Sequence, residues 1–187
     1  MARGHRQFAL FATIAALGLR HGEALGLQWN DLTWDDRGKV GTLAVQRSVV
    51  TQDNKPVITT PKTSASFRTL YFDADLWAIL REHRFQLITR GLNASERGWV
   101  FPSLAGTTQS QHNVRRDWRS ILTEAGLDTT MRIQGLQHTF VSRLIESGAD
   151  PRVAADVEGH SDPCITLARY AHSQAEKRKQ TLLAALL

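Results

Sequence analysis

The chain has 187 residues, the size of one ordinary domain, and its 42% hydrophobic and 22% charged residues place it with globular proteins rather than disordered chains. A net charge of +5 and a pI near 9.9 favour an anionic partner, nucleic acid being the commonest. Lys and Arg form no long run, so a folded basic face is expected rather than a basic tail.

Phe8, Phe11, Ile14 and Leu17 stand at helical spacing, and Gly18 closes that first helix. Arg3 and Arg6 ahead of this apolar run imitate a signal peptide. The run is too short to span a membrane and passes straight into Arg20-His21-Gly22-Glu23, so it reads as a buried helix. A short helix follows over His21 to Leu27. The period then changes to strands at Val40 to Val45, Ser48 to Thr51, Val57 to Thr60 and Phe67 to Phe72, with a turn at Asp53-Asn54-Lys55-Pro56. The expected product is one small antiparallel sheet.

From Asp73 the pattern is helical. Asp73 to Thr89 starts at an acidic cap, and further helices are expected over Gln109 to Ala125, Gly135 to Ser147, Pro151 to Glu158, Pro163 to Arg169 and Ser173 to Leu186. Gly126, Gly148 and Gly159 supply C-terminal stops. The fold class is therefore mainly α with a small antiparallel β-sheet (α+β), in a single domain over 1–187.

Four places carry side chains with chemical potential. Arg20 sits between two helices, where an ordinary reading gives it a salt bridge to Glu23. Lys62, in Pro61-Lys62-Thr63, precedes a strand that carries Arg68. His160 falls just before a helix start, and Tyr170 near a helix end, where a core aromatic is the ordinary reading. Cys164 stands alone, which excludes an internal disulfide, fits a reducing cytoplasmic setting and reads as a small buried hydrophobe. His138, His160 and His172 are scattered and no His/Cys cluster has zinc-ligand spacing, so neither metal nor other cofactor is expected.

Taken in order, Gly18-Leu19-Arg20-x-x-Glu23, Pro61-Lys62-Thr63 before a strand, Gly159-His160-Ser161 and Thr166-Leu167-x-x-Tyr170-x-His172 resemble the catalytic domain of tyrosine recombinases of the phage-integrase family. The resemblance spans roughly Phe8 to Lys179. It implies the DNA breaking-rejoining fold and double-stranded DNA as partner. Arg20 is the implied first catalytic arginine, Lys62 the hairpin lysine, His160 the Gly-His histidine and Tyr170 the nucleophile, with Arg68 and His138 as further DNA contacts. A phenol with a pKa near 10 attacks a phosphodiester only where cations stabilise the developing oxyanions. The arginines of such a site clamp the non-bridging oxygens, and the lysine protonates the leaving 5′-oxygen. The resulting 3′-phosphotyrosyl link conserves the bond energy for rejoining.

The chain departs from the family at one helix. Where members carry His-x-x-Arg, the frame reads Gln134-Gly135-Leu136-Gln137-His138-Thr139-Phe140. Glutamine keeps hydrogen bonding and loses charge, and a transition-state arginine on phosphate is worth about 10³–10⁵ in rate. Impaired cleavage is therefore expected, with fold and DNA docking retained. Three readings stay open: a degenerate domain that binds without cutting, an introduced double substitution, or a phosphate reached instead by Arg132 or His138. Motifs beginning almost at Met1 imply that the N-terminal core-binding domain usual in the family is absent. The tail from Ser173 to Leu187 ends in Leu182, Leu183, Leu186 and Leu187. It either packs on its own core or, by analogy with the family, docks on a neighbouring subunit.

Overall fold

The computed structural model describes residues 5–60 and 67–159. Lys62, His160, Cys164, Tyr170 and the tail from 173 to 187 lie outside the described residues.

Helix α1 (Phe8–Leu17) has no charged residue, and Leu10, Phe11, Ile14 and Leu17 are buried in the main core. The signal-like run is thus a core helix. Gly18 ends it in the left-handed region at φ 64°, and a Cβ there would stand 2.5 Å from the Phe140 ring. Glycine is needed twice over, for the backbone and for the close approach. Helix α2 (His21–Leu25) is held at its start by the Glu23 carboxylate, which accepts the Arg20 N–H at 2.9 Å, half of a capping box. A single 3₁₀ turn, Trp29–Asp31, leads into the strands.

The sheet expectation needs one correction. Among the described residues there are two sheets, not one: a three-stranded antiparallel sheet and a separate hairpin. The first joins β1 (Leu32–Asp35), β2 (Val40–Val45) and β5 (Arg68–Phe72), pairing Leu32 with Leu43 and Leu43 with Leu70. Alternation buries Leu43, Val45, Leu70 and Phe72 on its inner face. The hairpin is β3 (Ser48–Gln52) with β4 (Lys55–Thr59), turned by Asp53 and Asn54 at φ 48° and 58°. Two positive φ values in a two-residue loop define the turn that matches strand twist.

Four longer helices complete the described fold. Helix α3 (Ala74–Thr89) is capped by the Asp73 side chain, which accepts the Leu76 N–H at 3.0 Å, and buries Leu76, Leu80 and Leu87. Its Trp77 stacks on Trp34 of β1 at 5.5 Å. Helix α4 (Gln111–Glu124), capped by Ser110, buries Val114, Trp118, Ile121 and Leu122 along one stripe. Helices α5 (Gln134–Glu146) and α6 (Pro151–Glu158) pack together through a small satellite cluster of Val141 and Ala154, with Phe140, Leu144 and Ile145 against it. Among the described residues no helix is long and apolar enough to cross a membrane.

Candidate functional site

The site is built where the end of α1, the start of β5 and the end of α6 converge. Its centre is a carboxylate, Glu23, 4% exposed. Arg68 grips it with two parallel bonds, Nη1 to Oε1 at 3.0 Å and Nη2 to Oε2 at 2.8 Å, and donates from Nε to the Val157 carbonyl at 2.8 Å. That side chain is 8% exposed. A buried bidentate pair holds the Arg68 guanidinium inside the fold. Arg68 and Glu23 form a platform for the neighbouring Arg20.

Arg20 is the solvent-facing cation of the group. Its Nη1 donates to Glu23 Oε1 at 3.2 Å and its Nη2 to the Gly159 carbonyl at 3.2 Å, while the side chain stays 39% exposed. The ordinary salt bridge and the functional placement are therefore both present. A guanidinium with five donors can satisfy Glu23 and Gly159 and still offer N–H groups outward. Gly159, which ends α6 at φ 67°, lies under both arginines: a Cβ there would be 2.9 Å from Arg68 Nη1 and 3.3 Å from Arg20 Nη1. The glycine of the Gly-His pair is thus fixed by two constraints, its backbone conformation and its closeness to both arginines.

Helix α5 carries the departing positions. Phe140 seats against Gly18, two residues before Arg20, and Gln137 lies one turn earlier at i−3, on the same side of the helix. Gln137 is 3% exposed, so the position where the family resemblance leads one to expect an arginine is a buried neutral amide. Gln134 is exposed at the first helical position and His138 is half-buried. Arg132 stands ahead of α5 rather than on it, which changes the reach open to it.

A basic cluster absent from the sequence reading lies alongside. Arg115, Arg116 and Arg119 project from α4 outside its buried stripe, all exposed. Arg115 and Arg119, with His21 and Arg132, line a cavity of about 420 Å³ that Gln134 also borders. Arginines at i and i+4 around Val114 and Trp118 were the readable signal. His21 is held down to a pKa of about 4, first by burial and then by repulsion from Arg115, despite a hydrogen bond with Gln111. Burial also lowers His83, whose Nε2 meets the Val100 carbonyl at 2.7 Å.

Comparison with solved structures places this architecture among recombinase catalytic domains. The Tn1549 transposon integrase, solved with circular intermediate DNA, superposes with a TM-score of 0.74 at 20% identity, covering 94% of this chain and 60% of that one. The XerH site-specific recombinase, solved in a pre-cleavage complex with its difH substrate, gives 0.69 at 20% identity, covering 93% and 44%. At this identity the likeness is one of fold. The chain belongs to the phage integrase family, whose model matches residues 3–177. A XerC-like tyrosine recombinase of Caldanaerobacter subterraneus is 30% identical over 91% of this chain, and the ICEBs1 integrase of Bacillus subtilis 29% identical over 92%. The chain spans 46% and 47% of those two relatives' lengths.

Proposed function

We propose that this chain is the strand-cleaving domain of a site-specific DNA recombinase or integrase whose phosphate clamp is partly dismantled. The observation that carries the reading is Arg20: a half-exposed guanidinium held by Glu23 and by the Gly159 carbonyl, at the point where the chain turns to His160. In the proposed reaction Tyr170 Oη attacks phosphorus and the 5′-oxygen leaves with a proton from Lys62. Arg20 and His160 hold the non-bridging oxygens. The 3′-phosphotyrosyl ester forms as the phosphodiester breaks, and attack by a 5′-hydroxyl reverses it without an external energy source. Duplex DNA is the partner the exposed arginines of α4 suit, and relatives of this fold are solved on DNA.

The missing second arginine sets the expected rate. Gln137 offers an amide where a cation would meet the pentacoordinate phosphorus, so cleavage should fall by about 10³-fold or more against a restored chain. The test is a suicide half-site substrate scored for covalent protein–DNA adduct, on this chain, on Tyr170→Phe and on Gln134→His/Gln137→Arg. Slow adduct here, none with Tyr170→Phe and a rise on restoration are expected. Ordinary rates in the unaltered chain would overturn the claim of impairment. A second reading, a regulatory DNA-binding protein that never cleaves, is favoured by the burial of neutral Gln137. It predicts salt-sensitive duplex binding and no adduct even after long incubation. For the tail we infer docking onto a neighbouring subunit on DNA, and deletion after Gln174 should then abolish assembly while leaving single-copy binding.

A further inference from the structure

We propose that the cavity between α2, α4 and the start of α5 is a second phosphate-group site, formed by His21, Arg115, Arg119 and Arg132 and separate from the Arg20 clamp. The group it takes is a phosphate carried on the DNA backbone or a free phosphate monoester. For the DNA backbone as carrier the inference rests on the DNA reading above; for the site itself it does not.

Three observations converge. First, among the described residues the cavity of about 420 Å³ has three guanidiniums in its wall and no carboxylate. Among the described residues none of the three arginines makes an ion pair. The nearest acidic side chain in the adjoining loop, Asp128, is turned onto Thr130, accepting its N–H at 2.8 Å and its hydroxyl at 2.7 Å. Like charges gathered round one space repel, and an anion placed among them converts that repulsion to attraction. Second, the His21 Nε2 is buried without a hydrogen-bond partner. An anion among these cations would favour the protonated ring, whose Nε2–H would then donate to a ligand oxygen and complete the bonding. Third, the wall is braced: the Trp118 indole N–H donates to the Met131 carbonyl at 2.7 Å, tying the loop before Arg132 to α4. A tilted ring contact of Trp118 with Phe11 at 4.9 Å ties α4 in turn to the core. The arginines thus project from a fixed frame, and phosphate, with its tetrahedral set of acceptors, suits several guanidiniums at once. His21 fills an unspecified position of Gly18-Leu19-Arg20-x-x-Glu23, and the three arginines lie outside the motifs quoted above.

The experiment uses the full chain in two arms. In the first, the ring nitrogens of His21 are followed by ¹⁵N NMR during titration with inorganic phosphate, against sodium chloride at matched ionic strength. In the second, binding of a short duplex is measured over a salt series. The variants are Arg115→Gln and Arg132→Gln, both at exposed positions, with Arg81→Gln on α3 as control. A saturable His21 shift is expected with phosphate but not chloride, weakened about tenfold by either cavity variant and unchanged in the control. If the site takes the DNA backbone, each cavity variant also lowers the salt slope by about one. A phosphate response with unaltered slopes assigns the site to a free phosphate monoester. A silent His21 ring overturns the proposal whatever the slopes do, because Arg132 would then be an ordinary surface contact. Absence of duplex binding in every variant would sink the DNA reading, and the NMR arm would still decide the site.

Discussion

Glu23 holds two arginines of opposite exposure, and the energetics of the pair differ accordingly. Arg68 is 8% exposed, so a partner lost to Glu23→Gln leaves a buried cation uncompensated. Breaking such a pair costs about 3–5 kcal/mol, and urea unfolding of Glu23→Gln should register a loss of that size. Arg20→Ala, by contrast, removes a 39% exposed side chain and should change stability by less than about 1 kcal/mol while abolishing adduct formation. Equal destabilisation by the two would contradict the division of labour. Buried histidines set the acid response. His21, lowered to about 4, and His83, lowered by burial, are both held neutral by the fold and take up protons more readily when unfolded. Their contribution is complete above the unfolded value near 6.5 and is lost as pH falls toward the folded one. For His21 the change amounts to on the order of 3 kcal/mol between pH 7 and 4. Urea midpoints across that window should shift less in His21→Gln; an unchanged slope of stability against pH would remove His21 from the account.

At the level of elements, local signals carried most of the fold. The Asp53-Asn54 turn was legible because only turn-forming residues tolerate two positive φ values, and the apolar run of α1 was legible because nothing charged interrupts it. Strand β1 was not. Leu32-Thr33-Trp34-Asp35 is four residues following a 3₁₀ turn, and its identity comes from pairing with β2 rather than from any intrinsic preference. The division into two sheets escaped for the same reason, since which strands pair is a tertiary matter. Of the site, Arg20 and Gly159 could be read from motif order, whereas the burial of Arg68 could not, because Glu23 lies 45 residues away in sequence. The cavity face of α4 was readable in principle from Arg115 and Arg119 flanking Trp118. One contact ties the hairpin to the site: a Cβ on Gly22 would stand 2.6 Å from the Val49 carbonyl oxygen. Backbone cannot yield as a side-chain tip can, so Gly22→Ala should push β3 off α2 and cost about 1–3 kcal/mol. The displaced hairpin leads into the segment of Lys62, so adduct formation should fall further than stability explains. Wild-type cleavage in a Gly22→Ala protein would show that the hairpin's seat on α2 does not govern that lysine.

For the molecule as a whole, the proposed loss of charge at α5 bears on stability as well as on cleavage. Gln137 is 3% exposed on a helix packed against α1 and α6, one turn before the Phe140 that seats against Gly18, and Arg20 and Arg68 already place two guanidiniums around Glu23. Returning an arginine to position 137 adds a third cation to a region with one central carboxylate. Without phosphate, that charge is desolvated and weakly compensated, which costs several kcal/mol in buried sites (about 3–5 for an unpaired partner). Bound DNA reverses the sign, because its phosphate supplies the missing anion and binds the folded state alone. The Gln134→His/Gln137→Arg chain should therefore melt several degrees below the unaltered one when free, and regain more than that difference on half-site DNA. The neutral chain should gain less from the same DNA. Melting both proteins with and without duplex measures the coupling directly, and it does so without any need for turnover. Equal stabilisation by DNA in the two would mean that position 137 does not face the phosphate. The proposed impairment would then lose its basis at that position.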